Sequence, residues 1–259
     1  TKIGKFKMGG KESTPLKFLK NLRGKKKDGS SDGASQMRML RQLPKLLKFI
    51  PGSAQDVRVY FLIMQYWLSC SDNNLVALVR QMVNKYAAGP RKSLKGNFPA
   101  ADPEVYPDAG LYHPTLKKRM TEDSADIPAV KKPKGTVGLV LMRAYVLAGD
   151  TGHYDGVIKS LEARGVNVLP IFSSGLDIRP AVDQFLMKDG KPVVDAIISL
   201  AGFSLVGGPA YCNPEAAAEM LGDLDVPYIS AQALEFQTLD EWQESDFGLL
   251  PIEATMMVA

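Results

Sequence analysis

Two cysteines and two histidines in 259 residues leave little room for several kinds of chemistry. Cys70 and Cys212 stand far apart, with no CxxC and no metal-ligand spacing, so neither a disulfide framework nor a zinc knuckle can be built from them. They suit a reducing compartment, and both are expected to act as small buried apolar residues. His113 and His153 form no HExxH, no metal-ligand cluster and no evident Ser-His-Asp set. No GK[ST] occurs anywhere, which excludes a Walker phosphate loop. The longest apolar run, Val59–Leu68 interrupted by Gln65, is too short to span a bilayer. There is no internal repeat and no heptad seam.

The net charge of +4 is unevenly spread. Residues 1–48 hold 14 Lys/Arg against 3 Asp/Glu, leaving 18 against 25 for the remainder. A basic arm on an acidic body suits an anionic surface or an acidic partner, or is simply a solvated tail. No aromatic residues interleave the LRGKKKDGSSDGAS cluster, and no zinc-finger or RNA-binding pattern occurs, so nucleic acid is not expected. The chain begins at Thr1 without an apolar signal core or an Arg/Ser-rich leader and ends on MMVA, within what reads as an unfinished helix. Both ends read as cut, and the chain is expected to be a fragment.

Three stretches follow from the pattern. Residues 1–35 are too polar and glycine-rich to pack, and are expected to be a basic mobile arm. Residues 36–133 read as a helical region and connector. The stripe Met39, Leu40, Leu43, Leu46, Leu47, Ile50 predicts a helix with Pro44 as a break or new start. Asp56–Leu68 and Asn73–Tyr86 predict a helical hairpin with an N-cap at Ser71-Asp72 and Gly89-Pro90 as its stop. The segment Arg91–Lys134 has six prolines and only one candidate strand, Ala109–Tyr112. Residues 134–259 read as an α/β domain. Predicted strands Val137–Leu141, Val166–Phe172, Ala196–Leu200 and Val226–Ile229 alternate with helices Tyr154–Arg164, Ile178–Leu186 and Pro214–Leu224, the last with Asn213 as N-cap. That spacing predicts a doubly wound parallel sheet of the flavodoxin or Rossmann kind, incomplete at both ends and preceded by helices.

In such a sheet the ligand loops follow the strands. The first, Arg143–His153 (RAYVLAGDTGH), reads as a long polar loop whose glycines at 149, 152 and 156 do not make GxGxxG. Asp150 or Thr151 caps the next helix, whose start favours an anion, or the segment only caps and packs. His153 is the one titratable residue expected near a site; His113 is expected to be structural. The second loop, Ser173–Asp177, reads mainly as a cap. The third, Ala201–Pro209, is glycine-rich and otherwise apolar. It suits a flat apolar ligand or a packed neighbour, with Phe203 and Leu205 as anchors or as buried residues. Glu241, Glu244 and Asp246 read as an acidic cluster that suits Mg²⁺ or a basic partner, or as a solvated face.

RAYVLAGDT, SLEARGVNVLPIFSSGLD, IISLAGFSLVGG and EWQESDFGLLPIEATMMVA, in that order, resemble the large subunits of the magnesium and cobalt chelatases. IGKFKM, the LKFIPG wording and DAGLYHP make the H-subunit type of magnesium chelatase, in its bacteriochlorophyll branch, the nearer resemblance. The resemblance implies a porphyrin-binding subunit that takes protoporphyrin IX and Mg²⁺, alongside two AAA-type subunits that hydrolyse ATP and the rest of the H subunit. It implies a cytoplasmic or stromal setting. It also implies that Mg²⁺ and ATP serve the whole complex, with no cofactor bound by this chain. Catalytic groups are expected elsewhere in the large subunit, and the chain alone is expected to be inactive. Loop position nominates Arg143, Asp150, Thr151, His153 and Phe203 as porphyrin contacts, with Arg143 paired to a propionate. The alternatives are a stand-alone α/β module for an anionic small molecule and a docking platform acting through the basic arm.

Overall fold

The computed structural model describes residues 41–52, 54–202, 204–207, 212–231 and 233–258. The basic arm and the start of the first helical stripe lie outside them. The described residues form two compact units. One runs up to Gln65 and includes Arg80–Pro99; the other comprises Tyr66–Val79 and everything from Ala100.

In the first unit, residues 41–47 are helical straight through Pro44, with Leu43 buried. Helix α1 (Ala54–Ser69), whose last residues belong to the second unit, buries Val59, Leu62 and Tyr66. The stripe Val59, Tyr60, Ile63, Met64 and Trp67 that the sequence suggests is not the buried face, since Tyr60 and Trp67 are exposed. Helix α2 (Asp72–Tyr86) starts where Ser71 Oγ accepts the N–H of Asn74 at 3.4 Å. The Tyr86 hydroxyl donates to Asp56 at 3.3 Å, so the end of α2 lies beside the start of α1 and the pair is an antiparallel hairpin.

The second unit is a six-stranded mixed sheet. Its strands are β1 (Ala109–Tyr112), β2 (Met120–Thr121), β3 (Gly135–Met142), β4 (Val166–Ser173), β7 (Ala196–Ser199) and β8 (Tyr228–Ser230). A separate two-stranded ribbon pairs β5 (Met187–Lys188) with β6 (Lys191–Pro192). The sheet order is β2-β1-β4-β3-β7-β8, with β1 and β2 antiparallel at one edge and the other four parallel. Counting only the parallel strands gives order 2-1-3-4, the flavodoxin arrangement. The sheet therefore takes in part of the proline-rich connector. Asn74 fastens that connector, its amide oxygen accepting Glu104 N at 2.9 Å and its amide nitrogen donating to Glu104 O at 3.1 Å.

Alternation along the strands makes two cores. Val140, Ile171 and Ile197 face α5 (Arg179–Phe185) and α6 (Pro214–Leu224). Leu139, Leu141, Val168 and Phe172 face α3 (Arg143–Ala148) and α4 (Gly152–Ala163). Asn213 caps α6 by accepting Ala216 N at 3.0 Å. Two short helices follow β8, α7 (Leu239–Glu244) and α8 (Pro251–Val258).

Three expectations are corrected. Arg143–Ala148 is a helix rather than a loop, because Val146 and Leu147 bury against the sheet and Gly149, at φ +76°, ends the turn in a left-handed conformation. The last strand begins at Tyr228, two residues later than expected. Cys212 is exposed, since it sits ahead of the cap of α6 and packs in no element. Among the described residues no helix is long and apolar enough to cross a membrane.

Candidate functional site

Strand order reverses between β3 and β7, so the crevice beyond their carboxyl ends is where a doubly wound sheet offers its binding site. A cleft of about 670 Å³ opens there, a size that suits a small-molecule ligand. Its floor comes from the first turns of α4 and the end of β7: His153, Val157 and Leu200. Its wall is the segment after β8, with Leu234, Phe236 and Leu239 apolar and Glu235, Gln237, Thr238 and Glu241 polar.

Two buried side chains hold that wall. Glu253, fully buried on α8, accepts the backbone N–H of both Glu235 and Phe236 at 2.7 Å through Oε1. Among the described residues its Oε2 has no hydrogen-bond partner. Gln237 donates to Gly248 O at 3.1 Å and accepts Leu250 N at 3.0 Å. Helix α7 begins with a capping box, Thr238 Oγ1 accepting Glu241 N and Glu241 Oε2 accepting Thr238 N at 2.8 Å. These donors hold the Glu241 carboxyl below the usual carboxylate range. The Tyr145 hydroxyl donates to Glu235 and ties α3 to the wall, while its ring meets His153 edge-on at 5.7 Å.

The five nominated residues separate. His153 is exposed and lines the cleft. Asp150 is exposed on the same turn but is not a lining residue. Thr151 occupies the N-cap position of α4 without capping through its side chain. It is buried in a knot that joins β1 and β2 to α4. There, Arg119 Nη2 donates to Tyr112 Oη at 2.5 Å, to Thr151 Oγ1 at 2.9 Å and to Asp155 Oδ2 at 3.0 Å. Arg143 is turned to the connector, its Nε donating to Pro107 O at 2.8 Å and its Nη2 to Tyr106 O at 3.3 Å. Phe203 lies outside the described residues.

Other sequence signals resolve as structure. His113 is buried between Thr115 and Glu162, at 2.8 and 3.0 Å. Leu205 and Val206 are buried because the loop after β7 folds onto the loop after β4, with Ile178 N donating to Leu205 O and Gly207 N to Leu176 O. Asp177 pairs with Arg179 at 2.6 Å. Among the described residues no group of three or more His, Cys, Asp or Glu is placed to hold a metal ion. The wall from Ala233 to Glu241 was not nominated from the sequence. Its signals were there: it follows the last parallel strand, and Glu253 is a lone acid in the apolar run LLPIEATMM.

Comparison with known proteins places the chain. The model of the family described as CobN/Magnesium Chelatase matches residues 64–259, and residues 1–61 match a domain of unknown function. Over 259 residues the chain is 51% identical to the magnesium-chelatase H subunit of Cereibacter sphaeroides, covering all of this chain and 22% of that protein. It is 39% identical over 274 residues to the chloroplastic magnesium-chelatase ChlH subunit of Oryza sativa subsp. indica, covering 19% of it. The chain thus spans about a fifth of the length of these relatives. Among solved structures it is similar to the catalytic subunit of cobaltochelatase from Mycobacterium tuberculosis, with TM-score 0.48 and 22% identity over 78% of this chain and 15% of that one. With most of its length matched by the family model and half its residues identical to a curated member, the chain belongs to the CobN/magnesium chelatase family.

Proposed function

We propose that the chain is a segment of the porphyrin-binding H subunit of a magnesium chelatase, and that its α/β unit supplies one wall of the place where the macrocycle is held. The whole enzyme inserts Mg²⁺ into protoporphyrin IX on the route to bacteriochlorophyll or chlorophyll. Two AAA-type partner subunits hydrolyse ATP for it; Mg²⁺ and the porphyrin are its substrates. The carrying observation is an apolar-walled cleft at the switch point of a chain 51% identical over its full length to the H subunit of a bacterial magnesium chelatase. The stronger identity to that protein than to the chloroplastic one supports a bacterial, cytoplasmic setting.

Metal insertion needs a flat apolar slot, removal of two pyrrole protons and a partly dehydrated metal ion. This chain serves the first need. Val157, Leu200, Leu234, Phe236 and Leu239 bury apolar ring surface and exclude water, and His153 and Tyr145 offer aromatic edges beside them. Proton removal and ion delivery belong to other parts of the large subunit, so the chain alone is inactive.

The test is a chimera in which this chain replaces the matching fifth of the Cereibacter sphaeroides protein, assayed with its partner subunits for magnesium insertion into deuteroporphyrin. The chimera is expected to be active, and Ala233→Phe, which narrows the cleft, to raise KM for porphyrin about tenfold with kcat little changed. A folded, assembled chimera whose KM ignores Ala233→Phe contradicts the proposal.

A further inference from the structure

Resting on that reading, we propose that the cleft accepts the apolar edge of the porphyrin and turns the two propionates away from it. Among the described residues the lining carries Glu235 and Glu241 and no Lys or Arg. The wall has no base near it in sequence either: residues 192–259 contain eleven Asp/Glu and not one Lys or Arg. Among the described lining residues His153 is the one basic side chain, against Glu235 and Glu241.

Donors that would serve a propionate are engaged elsewhere. Arg143 Nε and Nη2 are directed to the carbonyls of Pro107 and Tyr106, and Arg119, whose Nη2 is held by Tyr112, Thr151 and Asp155, is not among the residues lining the cleft. Both ends of the Gln237 amide are used by Gly248 and Leu250, and the Thr238 hydroxyl donates to Glu241. A carboxylate entering the cleft therefore meets two carboxyl groups, with His153 as the remaining side-chain donor among the described lining residues. Methyl, vinyl or ethyl substituents meet Leu200, Leu234 and Phe236 instead. The cleft thus selects by rejecting charge on one edge of the ring, which orients the macrocycle before any metal arrives.

Three porphyrins separate the possibilities. Deuteroporphyrin IX has hydrogens at the two β-positions remote from its propionates, mesoporphyrin IX has ethyl groups there, and coproporphyrin III has two more propionates there. Binding to this chain is read from Trp242 fluorescence in a Trp67→Phe background. Deutero- and mesoporphyrin are expected to bind within about threefold of each other, and coproporphyrin at least about tenfold more weakly. In the double variant Glu235→Gln, Glu241→Gln the gap closes to about threefold or less. Glutamine still accepts the Tyr145 hydroxyl and still completes the capping box, so the fold, followed by circular dichroism, is retained. Equal binding of copro- and mesoporphyrin, or a gap unchanged in the double variant, overturns the orientation while leaving the porphyrin reading intact, provided Ala233→Phe still weakens binding. If none of the three binds the folded chain, the porphyrin reading of the cleft fails and the orientation with it.

Discussion

Glu253 and Glu235 are eighteen residues apart, and the buried carboxylate of the first accepts the backbone N–H of the second at 2.7 Å. The same oxygen takes Phe236 N at 2.7 Å, so one side chain fixes the backbone of the cleft wall at two consecutive residues. A carboxylate is used here as a backbone cap, in the way an N-cap residue satisfies helix donors, but for a loop.

Removing that acceptor leaves two partly buried N–H groups without their carboxyl partner. Glu253→Ala is expected to lower unfolding free energy by about 3 kcal/mol, whereas Glu253→Gln, which keeps a carbonyl oxygen, costs about 1 kcal/mol. Urea titration measures both. Hydrogen exchange at Glu235 and Phe236 should rise in the alanine variant before exchange rises in β3 and β4. Equal stability of the two variants would mean that the carboxylate does not hold the wall.

Tyr154 gives the unit an alkaline limit. It is fully buried, its hydroxyl accepts Met142 N at 3.1 Å, and burial pushes its phenol up to about 12, with the charge of Asp150 adding to the rise. The neutral phenol is the form the fold prefers. Its contribution is therefore whole below the unfolded tyrosine value near 10 and is lost as pH climbs from there towards 12. Between pH 8 and pH 11.5 the native chain is expected to lose about 2 kcal/mol more than Tyr154→Phe. Parallel urea midpoints decide it, and identical slopes for the two proteins would contradict the assignment.

Gly138 lies in the middle of β3, and a Cβ there would stand 2.8 Å from Leu186 Cδ1 and 3.3 Å from Cδ2. Gly138→Ala is expected to cost about 1–3 kcal/mol through overpacking. Combining it with Leu186→Ala should cost less than the sum of the two single changes, a coupling of at least about 0.5 kcal/mol. Additive losses would mean that Leu186 yields without strain.

The frame of the second unit was legible because periodicity and caps report local physics. The sequence reading of β4 is right to within a residue, Ala109–Tyr112 is a strand as expected although the connector holds a second one at Met120–Thr121, and Asn213 caps α6 as its position implies. What failed was long-range. Its place after a strand nominates Arg143 as a ligand residue, and the structure directs it to carbonyls 36 and 37 positions away. Thr151 looked like a cap or a contact, and its hydroxyl is claimed instead by Tyr112 and Arg119. No spacing rule reveals which distant edge strand packs against a helix start. The six residues of α3 were too few for periodicity to separate from a loop, although the αL glycine that ends them was in plain view. Of the residues lining the cleft, His153 is the one that loop position nominates; the wall is not legible because its order depends on Glu253, fourteen residues beyond Leu239.

The central claim is that the switch-point cleft, and not the Arg143 corner, meets the porphyrin. It is tested most directly by titrating the chain carrying Trp67→Phe with deuteroporphyrin and following Trp242, with His153→Ala, Ala233→Phe and Arg143→Ala alongside. The account predicts saturable binding weakened about threefold to tenfold by His153→Ala and more by Ala233→Phe, with Arg143→Ala lowering stability but leaving affinity within about twofold. Binding that Arg143→Ala abolishes in a folded chain while the two cleft substitutions leave it untouched would contradict it.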